Sequence, residues 1–305
     1  MEEAVKKLNK KVLSRRAKDN IFIAGMLLIP VVHFIIFWGA VNFNSIFMAF
    51  FRLDTIKGTY YHTWNNFKLL GMHWESGVLK EAFLNTFLTW VFLVFLLPWA
   101  FFLAYFLYKR IRFTALWRTV LFVPTILPVI AMTSVFKYIV GYYDGPVGKL
   151  WQFFGAEPLQ FLAEPSLARW TVIFYIFWTN FGGQFILMTS AMARVPKEVV
   201  ESAYLDGAGM RVEMLSILLP LCWPTISMLT LLNLAGFFTV SGPILLLTNG
   251  QAKTGTISFF IFDIIFRGSN YNEPSALGLI LTAALLPIVL LARWGMGKVY
   301  AGVEY

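Results

Sequence analysis

The sequence predicts an all-α membrane protein with six transmembrane helices, and two observations carry that prediction. Of its 305 residues, 58% are hydrophobic and only 13% are charged, whereas a soluble domain carries about 25% charged residues. The apolar residues also gather into runs near the length of about twenty that crosses a bilayer, with Lys and Arg clustered between them as membrane topology requires. The net charge of +9 therefore belongs to loops beside a membrane. The basic residues do not interleave with exposed aromatics, so no nucleic-acid partner is expected. A single cysteine, Cys222, excludes a disulfide framework within the chain. His33, His62 and His73 lack His or Cys partners at metal-ligand spacing, so no metal site is expected.

Taken in order, residues 1–20 are polar and basic, with Lys6, Lys7, Lys10, Lys11, Arg15, Arg16 and Lys18. The first span, about 21–41, is too long for the apolar core of a signal peptide and is expected to be retained; His33 within it reads as an interior hydrogen-bonded residue rather than a proton relay. Residues 42–82 read as an aromatic-rich loop with a short interfacial helix. The second span is about 84–108. The third, about 120–140, carries Pro124 and Pro128, which membrane helices tolerate. A polar loop over 141–168 contains the turn signal Tyr143-Asp144-Gly145-Pro146. The fourth and fifth spans are about 169–192 and 215–240. The apolar segment 257–266 is too short to cross alone and reads as surface-lying or re-entrant. The sixth span, about 276–292, is followed by Arg293 and Lys298. The membrane domain is thus 21–296, with a tail over 297–305.

Six spans place the N-terminus, the loop 109–118, the stretch 193–214 and the C-terminus on one side. Most Lys and Arg lie in those segments, so that side is expected to be the cytoplasm. The stretch 193–214 is a polar island between apolar spans. Pro196 suits the start of a helix, and Lys197 to Leu205 reads as a short one. Asp206-Gly207 interrupts it, because glycine accepts the backbone angles that end helices. A second helix then runs from about Ala208 into the fifth span. Such a knob suits docking into a cleft of a partner protein; a plain amphipathic loop is the alternative.

Glu201, Ala203, Gly207, Ile217 and Leu219-Pro220 stand at the spacing of the "EAA" motif: E-A-A, three residues, G, nine residues, I-x-L-P. The sequence thereby resembles the membrane subunits of ATP-binding-cassette importers, with Ser202 where the family usually has Ala. Asp206-Gly207-Ala208 resembles the "DGA" form of the carbohydrate branch. Trp64-Asn65-Asn66-Phe67, Asn85-Thr86, Arg118 to Pro128, and Leu247-Thr248-Asn249-Gly250 resemble further motifs of the maltose and glycerol-phosphate group, although Gln251-Ala252 replaces the Gly-Pro that usually ends the last of these.

The resemblance implies a type I importer permease fold whose island is a cytoplasmic coupling helix, with Glu201, Ser202, Ala203, Asp206, Gly207 and Ala208 addressing an ATPase. It implies as partners a second, different permease chain, two ATPase subunits, an extracytoplasmic solute-binding protein, a sugar substrate and the bilayer of a bacterial or archaeal cytoplasmic membrane. ATP and Mg would bind the ATPase and this chain would hold no cofactor; it contains no phosphate loop and no catalytic serine motif, so it reads as a non-enzyme with no catalytic residues. A path for sugar or oligosaccharide is expected where polar groups interrupt apolar spans, at Asn180, Gly183, Gln184, Asn233, Gly236 and Phe237, and the resemblance implies Thr179 and Val240 in addition. Close helix packing is the alternative role for the glycines, and helix bridging for the asparagines. A polyol or glycerol-phosphate solute remains an alternative substrate. A membrane-embedded glycosyl-lipid enzyme or a channel is an alternative of another class.

Overall fold

The computed structural model describes residues 15–54 and 57–300. The basic N-terminal segment and the C-terminal tail lie largely outside the described residues. The chain forms two compact units, one containing the first helix through Phe67 together with 271–279, the other containing 68–270 and the chain from 280 onward.

In the first unit, α1 (Arg15–His33), a π-helical segment (Phe34–Ala40) and α2 (Val41–Phe50) run on from one another. Helix therefore persists past the expected end at 41. The polar side chains beyond that point are satisfied by their own backbone: Asn42 donates to the Trp38 carbonyl at 2.6 Å and Ser45 to that of Val41 at 3.0 Å, which removes the cost of polar groups in an apolar helix. His33 is exposed and packs on the Phe37 ring, 4.6 Å between centroids, instead of being an interior residue. The aromatic loop contains an antiparallel hairpin, β1 (Phe51–Asp54) against β2 (Thr59–His62), with Phe51 opposite His62. Helix ends leave carbonyls unpaired. Here side-chain amides serve them: Asn66 donates to the Ala49 carbonyl at 2.9 Å, and Asn272 to that of Phe51 at 2.7 Å. The short helix expected in this region is α3 (Asn65–Glu75).

The second unit is organised on two long helices, α4 (Val78–Tyr108) and, further on, α8 (Pro165–Ala193). Their shared core joins Leu96, Ala100, Ala104 and Tyr105 to Phe181, Phe185, Met188 and Met192. The two run parallel: Glu81 and Arg169 meet near their starts at 3.2 Å.

Between them lie α5 (Thr114–Ile126), α6 (Val129–Ile139) and α7 (Pro146–Phe153). The unbroken span expected over 120–140 is replaced by α5 and α6, which meet at 107°. Leu127 is extended, with φ −68° and ψ 141°, because a residue before proline is driven out of the helical region. Pro124, inside α5, is tolerated as expected; Pro128 makes the break. Within 141–168, Pro146 opens α7 at its first turn, so part of that loop is helical.

After α8 come α9 (Lys197–Leu205), α10 (Met210–Val212), a π-helical turn (Glu213–Leu218), α11 (Leu219–Leu221) and α12 (Trp223–Ala235). The continuous fifth span expected over 215–240 is instead bent by 68° at Cys222, where Pro220 and Pro224 each remove a helical N–H. It ends at Ala235. Two further helices of this unit follow, α13 (Gly242–Leu247) and α14 (Ile257–Gly268); α15 (Asn272–Val299) belongs to the first unit as far as Leu279 and to this one from Ile280. At twelve residues α14 is too short to cross a bilayer. Among the described residues, four helices are long and apolar enough to do so, and counting each bent pair as one span makes six.

Candidate functional site

The island folds as a helix, a tight reversal and a second helix. Pro196 caps α9, whose last turn closes with two reversed hydrogen bonds, Ala208 N–H to the Ala203 carbonyl at 2.9 Å and Gly207 N–H to that of Tyr204 at 3.0 Å. This is the Schellman ending, which requires a left-handed residue at the position Gly207 occupies, and its φ is 77°. The glycine of the motif is there for backbone reasons. Glu201, Ser202 and Asp206 are exposed, while Ala203 and Ala208 are half-buried across the reversal. Leu205, the last residue of α9, stands 90% exposed, and Val199 and Met210 are also exposed. Lys197, Glu198, Glu201, Asp206 and Arg211 on the same segment are exposed as well.

Beneath the island, Glu213 is 2% exposed and bonded to Lys109 at 2.6 Å. Its Oε2 also accepts from the Tyr105 hydroxyl at 2.9 Å and the Tyr204 hydroxyl at 3.3 Å. The Lys109 ammonium donates to the Tyr204 hydroxyl and lies over the Tyr204 ring, 4.5 Å from its centroid. Burial alone would lower the Lys109 pKa, but the hydrogen bonds to Glu213 and Tyr204 and the Glu213 charge outweigh it and hold the ammonium above its ordinary range. Beside this cluster is a cleft of about 960 Å³ whose lining includes Lys109, Arg110, Arg118, Lys197 and Glu201.

The expected path residues divide. Gln184 on α8 donates to the Asn233 side-chain oxygen on α12 at 2.8 Å, and the remaining amide atoms, Gln184 Oε1 and Asn233 Nδ2, are buried and unpaired. Phe237, four residues beyond Asn233 and past the end of α12, packs on Trp90 with ring centroids 5.3 Å apart. Gly183 has room, with Thr125 Cγ2 3.7 Å from where a Cβ would stand, and Gly236 ends α12. The others have backbone work. Asn180 is exposed and donates to its own helix at the Ile176 carbonyl, 2.8 Å away. The Thr179 hydroxyl donates to the Tyr175 carbonyl at 2.9 Å. The Val240 carbonyl accepts from Thr256 at 2.6 Å. Neighbouring Gly182 is a packing glycine, since a Cβ there would sit 2.7 Å from the Leu121 carbonyl of α5.

Residues 96–304 match the family described as the inner membrane component of binding-protein-dependent transport systems. The chain belongs to this family. Among related permeases, it is 25% identical to the alpha-glucoside transport system permease protein AglF of Rhizobium meliloti over 71% of its own length and 66% of that protein's, just under two thirds. It is 26% identical to the multiple sugar-binding transport system permease protein MsmF of Streptococcus mutans, over 84% and 88% of the two chains. Its fold is similar to chains of a bacterial ABC transporter that imports the acidic polysaccharide alginate, with a TM-score of 0.80 at 22% identity over 92% and 97% of the two chains. It is equally similar, at 0.80 and 23% identity over 94% and 98%, in a complex of that transporter type with an alginate pentasaccharide-bound periplasmic protein. The permease therefore has the all-α fold of ABC importer permeases.

Residues of the permease that the sequence does not single out include Leu205, Trp90 and the Glu213 cluster. One signal was available for Glu213. A carboxylate entering an apolar helix must find a partner, though the sequence does not name Lys109 as that partner.

Proposed function

We propose that this permease forms half of the membrane pathway of an ATP-driven importer for a sugar or oligosaccharide, and that its island docks on a separate ATPase. The relatives' sugar specificities support the substrate class. The Gln184–Asn233 pair is the observation that carries it within the chain. One unpaired acceptor and one unpaired donor, both buried in this conformation, suit a hydroxyl, which both donates and accepts, once the helices part, and the Trp90–Phe237 pair offers an aromatic surface to a pyranose ring. These amide and aromatic groups are uncharged, which suits a neutral saccharide over a glycerol phosphate.

In this reading the Glu201–Ala208 island, the N-terminus and the C-terminus face the cytoplasm, as the positive-inside bias favours. A second permease chain completes the pathway, two ATPase subunits bind and hydrolyse ATP with Mg, and an external binding protein delivers solute. This chain performs no catalysis. The test is uptake of radiolabelled neutral oligosaccharides by the full complex in proteoliposomes. Gln184→Ala and Asn233→Ala are expected to raise the half-saturating concentration about tenfold, the effect of losing a hydrogen bond worth roughly 1–1.5 kcal/mol. Unchanged rates and unchanged solute preference in both variants would assign the pair to helix bridging alone.

A further inference from the structure

The Glu213 cluster joins three elements through polar side chains, beside the apolar core in which Leu107, Val200 and Leu218 also bring them together. Tyr105 and Lys109 come from the end of α4, Tyr204 from the island helix α9, and Glu213 from the start of the bent fifth segment. The contacts of Tyr105, Tyr204 and Lys109 with the Glu213 carboxylate all fall on one oxygen, Oε2, while Oε1 is buried and unpaired. A buried ion pair contributes little net stability, because desolvation offsets the attraction; its best-attested use is to fix one arrangement against others. Here the arrangement fixed is that of α9 on the membrane core. Tyr204 is the member that α9 supplies, and its hydroxyl both accepts from Lys109 and donates to Glu213. A displacement of α9 that withdrew this hydroxyl would disturb α4 and the fifth segment together.

The cluster also lies where that segment is irregular. Glu213 opens a π-helical turn that runs to Leu218, and such turns are frequent at functional positions in helices. The bend at Cys222 follows, and beyond it α12 carries Asn233. One covalent stretch thus connects the carboxylate to the amide pair.

We infer that Glu213 is a positioning residue for coupling: with Lys109, Tyr105 and Tyr204 it clasps the island helix to α4 and to the fifth segment, so that movement of the island reaches the solute path as one displacement. The inference rests on the proposed role of the island as an ATPase dock, and its test separates the two.

Hydrogen exchange is measured on the full-length permease in its complex, for wild type, Glu213→Gln and Tyr204→Phe; the last removes one hydroxyl and leaves the ion pair in place. The expected result for Glu213→Gln is faster exchange of amides 197–205 by about tenfold, in the lower part of the range for conformational coupling. Exchange around Glu81 should not change, and Tyr204→Phe should show a smaller change in the same segment. In parallel, ATP hydrolysis by the Glu213→Gln complex is expected to lose its dependence on solute-loaded binding protein. Exchange unchanged over 197–205 in both variants overturns the clasp, as does exchange raised equally across α4 and α8, which would mark general loosening. A wild-type complex that shows no ATP hydrolysis overturns the proposed function instead, and leaves the exchange result to judge the clasp.

Discussion

Helix α4 has an ion pair near each end, to α8 at its start and to the fifth segment at its close, and the two are built to different standards. Near the helix starts, Arg169 and Glu81 meet at 3.2 Å with both side chains partly exposed, 24% and 32%. At the island end, Lys109 meets a Glu213 that is 2% exposed, and two tyrosine hydroxyls complete the set. Water can replace the first pair with little loss. In the second, the Lys109 side chain is 27% exposed but the Glu213 carboxylate is not. The difference teaches that an ion pair's consequence follows from what remains when one partner is removed, and that depends on burial more than on distance.

Three substitutions press on this contrast. Lys109→Met strands a buried carboxylate and is expected to cost about 3–5 kcal/mol, read as a lowered melting temperature of the purified protein in detergent. A loss below about 1 kcal/mol would show that water enters the cluster. Gly207→Ala leaves the ion pair intact but forces a Cβ into the left-handed region, at a cost of about 1–2 kcal/mol. Nothing stands within 4 Å of that Cβ, so the effect is backbone strain alone, and an equal loss in Gly207→Asn, a residue that tolerates this conformation better, would argue against it. Glu81→Gln is expected to cost less than about 1 kcal/mol, as partly exposed pairs do. A loss as large as that of Lys109→Met would erase the contrast between the two ends.

The same contrast marks what the sequence makes legible. The bounds of α9 and the reversal at Gly207 are readable because Pro196 and Gly207 act on their own neighbours. The Glu213 cluster is not readable, because Tyr105 and Glu213 are 108 residues apart and meet only through the packing of α4 on the fifth segment. Pro124 and Pro128 look alike in an apolar run, yet one lies within a helix and the other ends it, and the extended Leu127 decides between them. Asn180 and Asn233 are also equivalent as polar residues at depth. The structure divides them by partner: Asn180 is satisfied by its own helix, and Asn233 reaches across to Gln184. Membership in a transport family was open to motif reading because its motifs are local, and several of the motif residues prove to be helix-end caps and turn formers.

The loop after α13 makes a different point. Its backbone is left-handed at Asn249, Gly250, Ala252 and Lys253, and it stands where Gln251-Ala252 replaces a more usual Gly-Pro. It is held from outside: Asn85 donates to the carbonyls of Lys253 and Gly255 at 2.9 and 2.8 Å, and Thr86 accepts from the Ile257 N–H at 2.9 Å. Thr248 and Thr254 close its base through hydroxyls 2.5 Å apart. A loop shaped by side chains of another helix can drift in its own sequence and keep its course. The heritable information for this turn is therefore written partly at Asn85 and Thr86, and divergence among related chains should be freer at positions 251 and 252 than at the two residues that hold them.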